Sequence, residues 1–254
     1  MPAVETLVQD RIATITMHGE PANALGEELK AGLTGALDEA EAAGARVLVL
    51  TSSVPGYFAA GADLKLLGEA DRAGFEEYLD GLRAVIERVA ALAQPSIAVI
   101  DGYALGGGLE LAMACTMRVA SARSRLGVPE IKLGLFPGAG GTQRLPRLVG
   151  RGAALDLLLT GRSVAGDEAA RIGLVDLVAG EAEIDAEAMR MAASLAAGPF
   201  DALAATVRCV DAARDLPLAE GLAVERDEIL NLFDSPDARE GIAAFLGRRR
   251  PIFS

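Results

Sequence analysis

Apolar and polar residues alternate along the chain in patterns that predict strands near its start. The β-branched segments VETLV and IATITM flank the polar turn QDR, which predicts an N-terminal hairpin. The continuous apolar runs ARVLVLTS and SIAVIDG have the length of strands that are buried on both faces. We therefore expect a sheet whose central strands lie inside the protein.

Helical patterns follow and separate these strands. The spacing predicts a helix from about Leu25 to Ala42 and a long helix that ends before Pro95. From about Thr142 onward the pattern is mostly helical, with Leu174–Val178 as a strand between helices. This alternation predicts an α/β core over residues 1–197, followed by a helical C-terminal region over residues 198–254.

The composition narrows the class of protein. The chain has 254 residues, 51% of them hydrophobic, which is enough to bury a substantial core. A formal net charge of -12 argues against a general nucleic-acid binder, which needs a basic surface. No apolar segment has the length of a membrane span, and the first residues do not resemble a signal peptide. We expect a cytoplasmic enzyme or binding protein that contacts neither nucleic acid nor membrane.

Histidine and cysteine are too sparse for several kinds of catalytic site. His18 is the only histidine, so neither a His-rich metal site nor a triad with a histidine elsewhere is expected. Cys115 and Cys209 lie far apart and lack the spacing of metal ligands. We expect both to be buried apolar side chains in a reducing compartment, and we expect no metal.

The stretch GYALGGGLELAMAC, Gly102–Cys115, is the first candidate for chemistry. It predicts a strand, a turn and a helix that starts near Gly106 to Gly108. The first N–H groups of a helix lack internal partners, and glycines let a ligand approach them closely. Glu110 comes three positions after Gly107 and therefore projects from the same face. The alternative is a tight turn packed against another backbone, with Glu110 simply favouring the helix N-terminus.

Two further stretches carry related features. FAAGADLKLL, Phe58–Leu67, again places small residues before a charged group, so that one of its amides and that of Gly107 could hold a carbonyl oxygen together. GVPEIKLGLFPGAGGTQRLP supplies a second carboxylate, Glu130; taken alone, this residue also fits a surface or capping group. Neither a G-x-G-x-x-G fingerprint nor a P-loop occurs in the chain.

These three stretches, in this order and at these separations, resemble the enoyl-CoA hydratase (crotonase) family. The resemblance extends from ANAL at Ala22–Leu25 to the C-terminal EGIAAFLGRRRPIF. It implies a spiral of ββα units, with C-terminal helices that assemble a homotrimer or a homohexamer. It also implies an acyl-CoA thioester as substrate, with coenzyme A as part of that substrate and no separate cofactor.

The resemblance also assigns roles to individual residues. It implies that the amides of Ala62 and Gly107 bind the thioester oxygen, and that Glu110 and Glu130 are the catalytic carboxylates. Two glutamates favour a hydratase, which must deliver a hydroxyl to Cβ and a proton to Cα. We therefore expect reversible syn hydration of a trans-2-enoyl-CoA to a 3-hydroxyacyl-CoA. A Δ3,Δ2-enoyl-CoA isomerase and a non-catalytic acyl-CoA-binding subunit remain the alternatives.

The resemblance further implies where coenzyme A would bind. It places five residues along the coenzyme A part of the substrate: Ala60, Ala62, Asp63, Leu64 and Lys65. Lys65 and one of Arg248, Arg249 and Arg250 are candidates for contacts with its phosphates; the alternatives are a solvated lysine and a solubilising tail. Asp63 is expected to cap the helix that follows it. Acyl-chain length and pathway stay open.

Overall fold

Two mainly parallel sheets form the centre of the computed structural model, which describes residues 2–254. One sheet has the strand order β1-β2-β3-β5-β7-β10 and the other β4-β6-β8-β9. The strands of this part of the chain are β1 (Val4–Gln9), β2 (Ile12–Met17), β3 (Val47–Ser52), β4 (Tyr57–Ala59), β5 (Ser96–Ile100), β6 (Tyr103–Leu105), β7 (Met117–Ser121), β8 (Arg125–Gly127), β9 (Ser163–Ala165) and β10 (Leu177–Ala179).

Helices cover the sheets and form the C-terminal part of the chain. Over residues 2–254 they are α1 (Glu27–Ala42), α2 (Leu64–Glu69), α3 (Arg72–Ala90), α4 (Gly107–Ala114), α5 (Gly141–Thr160), α6 (Gly166–Arg171), α7 (Ile184–Ala196), α8 (Phe200–Asp215), α9 (Leu218–Phe233) and α10 (Pro236–Leu246). None of them is both long enough and apolar enough to cross a membrane.

The chain repeats one unit as it winds through the two sheets. In the units that begin with β3, β5 and β7, the first strand lies in the six-stranded sheet, the second lies in the four-stranded sheet, and a helix follows. The units β3-β4-α2-α3 and β5-β6-α4 show this order, and their corresponding strands pair in parallel. The turn after β4 and the start of α4 therefore lie at the same edge of the four-stranded sheet.

Strand β3 shows how the six-stranded sheet buries both of its faces. Leu48 and Leu50 belong to a core cluster that includes residues of α1, α3 and α4. Val47 and Val49, which alternate with them, belong to a second cluster with residues of α7. The continuous apolar run in the sequence thus reflects a strand covered on both faces.

The structure confirms the predicted α/β class, the N-terminal hairpin, the buried strands and the helical C-terminal region. Three details of the sequence analysis were wrong. The strand expected at Leu174–Val178 is Leu177–Ala179, and the strand Ser163–Ala165 was not expected. Cys209 is only half-buried because it lies on α8, which covers the core incompletely, whereas Cys115 is buried as expected. The division between residues 1–197 and 198–254 stays a prediction.

Helix α4 packs directly against the end of β4. A β-carbon on Gly108 would overlap the carbonyl oxygen of Ala59, so this position accepts only glycine unless the backbone moves. The contact fixes the position of the N-terminus of α4 relative to the turn after β4. It therefore constrains the positions of all residues at this edge of the four-stranded sheet.

Gly108→Ala is expected to destabilise the protein by roughly 1–3 kcal/mol, the usual cost of overpacking. Gly35→Ala is the matched control, because Gly35 lies inside α1 with open space around its β-carbon position. That substitution should stabilise by about 0.5–1 kcal/mol through helix propensity. Urea unfolding of the three proteins measures both effects, and equal midpoints for Gly108→Ala and the parent chain would contradict the packing constraint.

Candidate active site

The turn after β4 is held in place by backbone hydrogen bonds to the segment before α1. The Ala60 N–H donates to the Ala22 carbonyl at 2.9 Å, and the Leu25 N–H donates to the Gly61 carbonyl at 2.8 Å. These bonds occupy the amide of Ala60, so that residue has no free N–H for a ligand. They also anchor the loop that carries the amide of Ala62, two residues after Ala60.

Two unpaired amides meet beside this loop. A β-carbon on Gly61 would lie 3.7 Å from the Gly107 nitrogen, so the loop and the first residue of α4 are neighbours. Within residues 2–254, neither the Ala62 N–H nor the Gly107 N–H donates a hydrogen bond to any protein acceptor. The positive end of the α4 dipole lies at Gly107. This arrangement can bind an anion or stabilise an oxygen that develops negative charge.

Glu110 lies one turn into α4 and is almost completely buried, with 2% of its surface exposed. Its Oε1 accepts hydrogen bonds from the Ala139 N–H at 2.8 Å and the Gly141 N–H at 2.7 Å. Its Oε2 lies 3.9 Å from the β-carbon position of Gly107. Burial raises the pKa of Glu110, while the two amides and the charge of Arg144 oppose that rise by favouring the carboxylate.

Glu130 reaches the same place from a 3₁₀ helix, Pro129–Leu133, that follows β8. Its Oε1 lies 2.5 Å from the β-carbon position of Gly106, which has a φ of +52°. Its Oε2 is buried and has no hydrogen-bond partner among residues 2–254. Burial, with a smaller contribution from the charge of Glu110, raises the pKa of Glu130 to about 7. The two carboxylates therefore flank consecutive glycines but are held very differently.

The residues expected to bind coenzyme A lie beside the loop that carries Ala62 or at the C-terminus of the chain. Asp63 caps α2 as predicted, because its side chain accepts hydrogen bonds from the N–H groups of Lys65 and Leu66. Leu64 and Lys65 are exposed beside the loop. Arg249 donates two hydrogen bonds to Glu240, at 2.6 and 2.8 Å, so its charge is already paired. Their contacts with a phosphate stay predictions, as do the roles of Arg248 and Arg250.

The sequence analysis did not identify the groups that hold Glu110. Ala139 and Gly141 belong to the FPGAGG segment, where the glycines indicate that a backbone approaches something closely. This segment also lines a cavity of about 780 Å³, together with Arg144 and residues of α8. Among residues 2–254, no group of three or more His, Cys, Asp or Glu side chains is arranged to hold a metal ion.

Comparison with known proteins agrees with this geometry. A family model described as enoyl-CoA hydratase/isomerase matches residues 8–254. A probable enoyl-CoA hydratase of Bacillus subtilis (strain 168) is 39% identical over 259 residues, which cover 100% of this chain and 99% of the relative. A probable enoyl-CoA hydratase of Rhizobium meliloti (strain 1021) is 40% identical, covering 98% of this chain and 96% of its own.

A solved structure of an enoyl-CoA hydratase from Bacillus anthracis superposes with a TM-score of 0.95. It is 34% identical, and the match covers 99% of this chain and 98% of that chain. The crotonase-type fold expected from the resemblance is thereby confirmed.

The two carboxylates should give the stability of the protein a specific pH dependence. Because the folded-state pKa of Glu130 is raised to about 7 from 4.5, the folded protein keeps a proton that the unfolded chain loses. Stability from this group is fully present below about pH 4.5 and is lost as the pH rises through 7. Glu130→Gln should therefore be more stable than the parent chain at pH 8 by up to about 3 kcal/mol, since the pKa rises from 4.5 to about 7 and one pKa unit corresponds to about 1.4 kcal/mol.

The difference between the two proteins should disappear near pH 4, where the Glu130 carboxyl is protonated in the folded protein and mostly protonated in the unfolded chain. Chemical denaturation at the two pH values measures it. Glu181→Gln, an exposed position paired with Arg123, serves as the control and should show no such gain at pH 8. If the stability difference between Glu130→Gln and the parent chain is the same at both pH values, the buried, unpaired state of this carboxyl is contradicted.

Proposed function

Because the chain belongs to the enoyl-CoA hydratase/isomerase family, we propose that it catalyses the reversible syn addition of water to a trans-2-enoyl-CoA, giving a 3-hydroxyacyl-CoA. The observation that carries this proposal is the pair of free amides beside two carboxylates of different character. Coenzyme A is bound as part of the substrate in this proposal.

The free amides suit the thioester oxygen. As water adds at Cβ, electrons of the double bond move toward the carbonyl, and its oxygen gains negative charge. The N–H groups of Ala62 and Gly107 would donate hydrogen bonds to that oxygen at the buried N-terminus of α4. Because both donors are fixed before the substrate arrives, little reorganisation accompanies the reaction.

The carboxylates divide the proton transfers. Glu110, whose Oε1 accepts two amide hydrogen bonds, is the better carboxylate and takes a proton from water through Oε2. The new C–O bond forms at Cβ as this O–H bond breaks. Glu130, whose raised pKa keeps it protonated for longer, donates its proton to Cα as the enolate collapses. Exchange of protons with water restores both groups.

A Δ3,Δ2-enoyl-CoA isomerase is the second candidate, because the matching family model covers both activities. An isomerase only moves a proton within its substrate, so one of the two carboxylates would suffice. Product analysis with 3-enoyl-CoA and with 2-enoyl-CoA separates the two activities.

We also propose that the protein assembles as a homotrimer or a homohexamer through its C-terminal helices. Large apolar side chains are exposed there, among them Leu218 at 78%, Phe245 at 83% and Leu246 at 76%. Apolar surface on this scale is typical of a protein interface. The occupant in this proposal is another copy of the same chain.

Glu110→Gln and Glu130→Gln should each lower kcat for hydration of crotonyl-CoA by about 10²–10⁴, the usual contribution of a general acid or base. The glutamine oxygen of Glu110→Gln can still accept the Ala139 and Gly141 hydrogen bonds, so the loop should stay in place. Glu181→Gln should retain full activity. Near-normal hydration by either site variant refutes its proposed role, and a parent chain inactive on trans-2-enoyl-CoA of every chain length refutes the hydratase.

Phe245→Glu should reduce the oligomeric state, because a charge would then be buried at the proposed interface. Leu7→Glu is the control, since Leu7 is also exposed, at 62%, but lies on β1 away from these helices. Light scattering coupled to size-exclusion chromatography reports the mass of each protein. A monomeric parent chain, or a Phe245→Glu variant of unchanged mass, would argue against this interface.

A further inference from the structure

Tyr78 has a buried hydroxyl group that nothing in the described protein satisfies. The residue lies on α3 with only 3% of its surface exposed, and its hydroxyl oxygen has no hydrogen-bond partner among residues 2–254. Burying an unpaired hydroxyl costs free energy, so each such group calls for an explanation. Glu130, which borders the proposed active site, supplies another of the few unpaired buried atoms.

The face of α3 that carries Tyr78 lines the proposed active site. Leu82, one turn further along, places a methyl carbon 3.4 Å from the β-carbon position of Gly107. Leu79, the next residue in the chain, lies 3.0 Å from the β-carbon position of Gly138, in the segment whose amides hold Glu110. Tyr78 thus projects from a helix that touches both halves of the site.

The ring of Tyr78 is fixed from the side of α1. The Lys30 ammonium lies 4.5 Å from the ring centroid and donates a hydrogen bond to the Tyr78 carbonyl at 3.3 Å. Lys30 is itself buried and is paired with Glu27 at 2.6 Å. This cation–π contact and ion pair leave the ring little freedom to turn. The hydroxyl therefore has a defined position.

That position is next to the loop that carries Ala62. The β-carbon position of Gly26, at the start of α1, lies 3.6 Å from Oδ2 of Asp63, and Lys30, one turn further along α1, contacts the Tyr78 ring. The Asp63 N–H accordingly lowers the pKa of Tyr78, although the hydroxyl has no hydrogen-bond partner of ordinary geometry among residues 2–254. Burial is the larger effect and raises the pKa of Tyr78 above its usual value, and the nearby carboxylates of Asp63 and Glu110 act in the same direction. The phenol accordingly stays neutral in the pH range in which the protein would work.

We propose that Tyr78 is a positioning residue for the Ala62 amide: its hydroxyl oxygen accepts a hydrogen bond from the Asp63 N–H once a thioester oxygen occupies the Ala62 and Gly107 amides. The bond fixes the Ala62–Asp63 peptide and with it the direction of the neighbouring Ala62 N–H. Hydrogen bonds of this kind are often long in a free enzyme and shorten only when substrate binds. The inference rests on the proposed function in one respect, since it takes the ligand to be an acyl thioester.

Tyr78→Phe removes the hydroxyl and keeps the ring beneath Lys30. We expect kcat for hydration to fall about tenfold, less than the 10²–10³ lost when an oxyanion donor itself is removed, with KM nearly unchanged. The melting temperature should stay the same or rise, because an unpaired buried hydroxyl is lost. Tyr103→Phe is the matched control: Tyr103 is half-exposed and stacks on Tyr57 at 5.3 Å, at the other end of β6.

A second measurement does not depend on hydration. Acetoacetyl-CoA, a β-ketothioester, binds partly as its enolate, and the conjugated enolate is detected by ultraviolet absorbance. Tyr78→Phe should bind this thioester with a smaller enolate fraction than the parent chain and the Tyr103→Phe control. This loss should be the same from pH 6 to pH 9, because the phenol is neutral throughout.

The outcomes separate the two proposals. A reduced enolate fraction in a chain that does not hydrate any 2-enoyl-CoA would support the role of Tyr78 and refute the hydratase. An unchanged enolate fraction together with an unchanged kcat would overturn the role of Tyr78 and leave the hydratase intact. A Tyr78→Phe variant that is less stable than the parent chain, or that fails to fold, would also overturn it, because the hydroxyl would then be structural.

Discussion

The close approach of α4 to the end of β4 is the constraint on which the candidate site depends. Gly108 lies against the Ala59 carbonyl with no room for a β-carbon, and this contact sets the Gly107 amide beside the loop that carries Ala62. Hydrogen bonds to Ala22 and Leu25 hold that loop from its other side. The N–H groups of Ala62 and Gly107 are therefore positioned by packing between sheet and helix, and the candidate site has these donors without any contribution from a side chain.

The charge states of Glu110 and Glu130 follow from the geometry of the candidate site. Two carboxyl groups in one poorly solvated space resist ionising together. The structure resolves this conflict by giving them different surroundings. The Glu110 carboxylate accepts two amide hydrogen bonds, while the Oε2 atom of Glu130 accepts none from the part of the chain that the structure describes. The expected resting state carries one negative charge and one proton. Such a state can accept a proton on one side of a bound molecule and donate one on the other.

Local features of the fold and the site were predictable from the sequence, and contacts between distant segments were not. Apolar runs identified β3 and β5 because both faces of these strands are buried, and helical periodicity placed Glu110 on the face of Gly107. The amides that hold Glu110 come from residues 139 and 141, about thirty positions away, and nothing in their spacing indicates that contact. The sequence likewise gives no indication of a role for Tyr78, because its position in the pattern is that of any buried residue of an amphipathic helix.

A candidate site whose donors are main-chain N–H groups tolerates many substitutions during evolution. Every residue except proline carries the same N–H, so most substitutions at position 62 leave the donor itself in place. Evolution can therefore change Glu110, Glu130 or Tyr78 one at a time while the N–H groups of Ala62 and Gly107 stay available to an anion or to an oxygen that develops negative charge. Ligand binding by the backbone and chemistry by the side chains are thus separate, so a new reaction can arise while the same ligand can still bind.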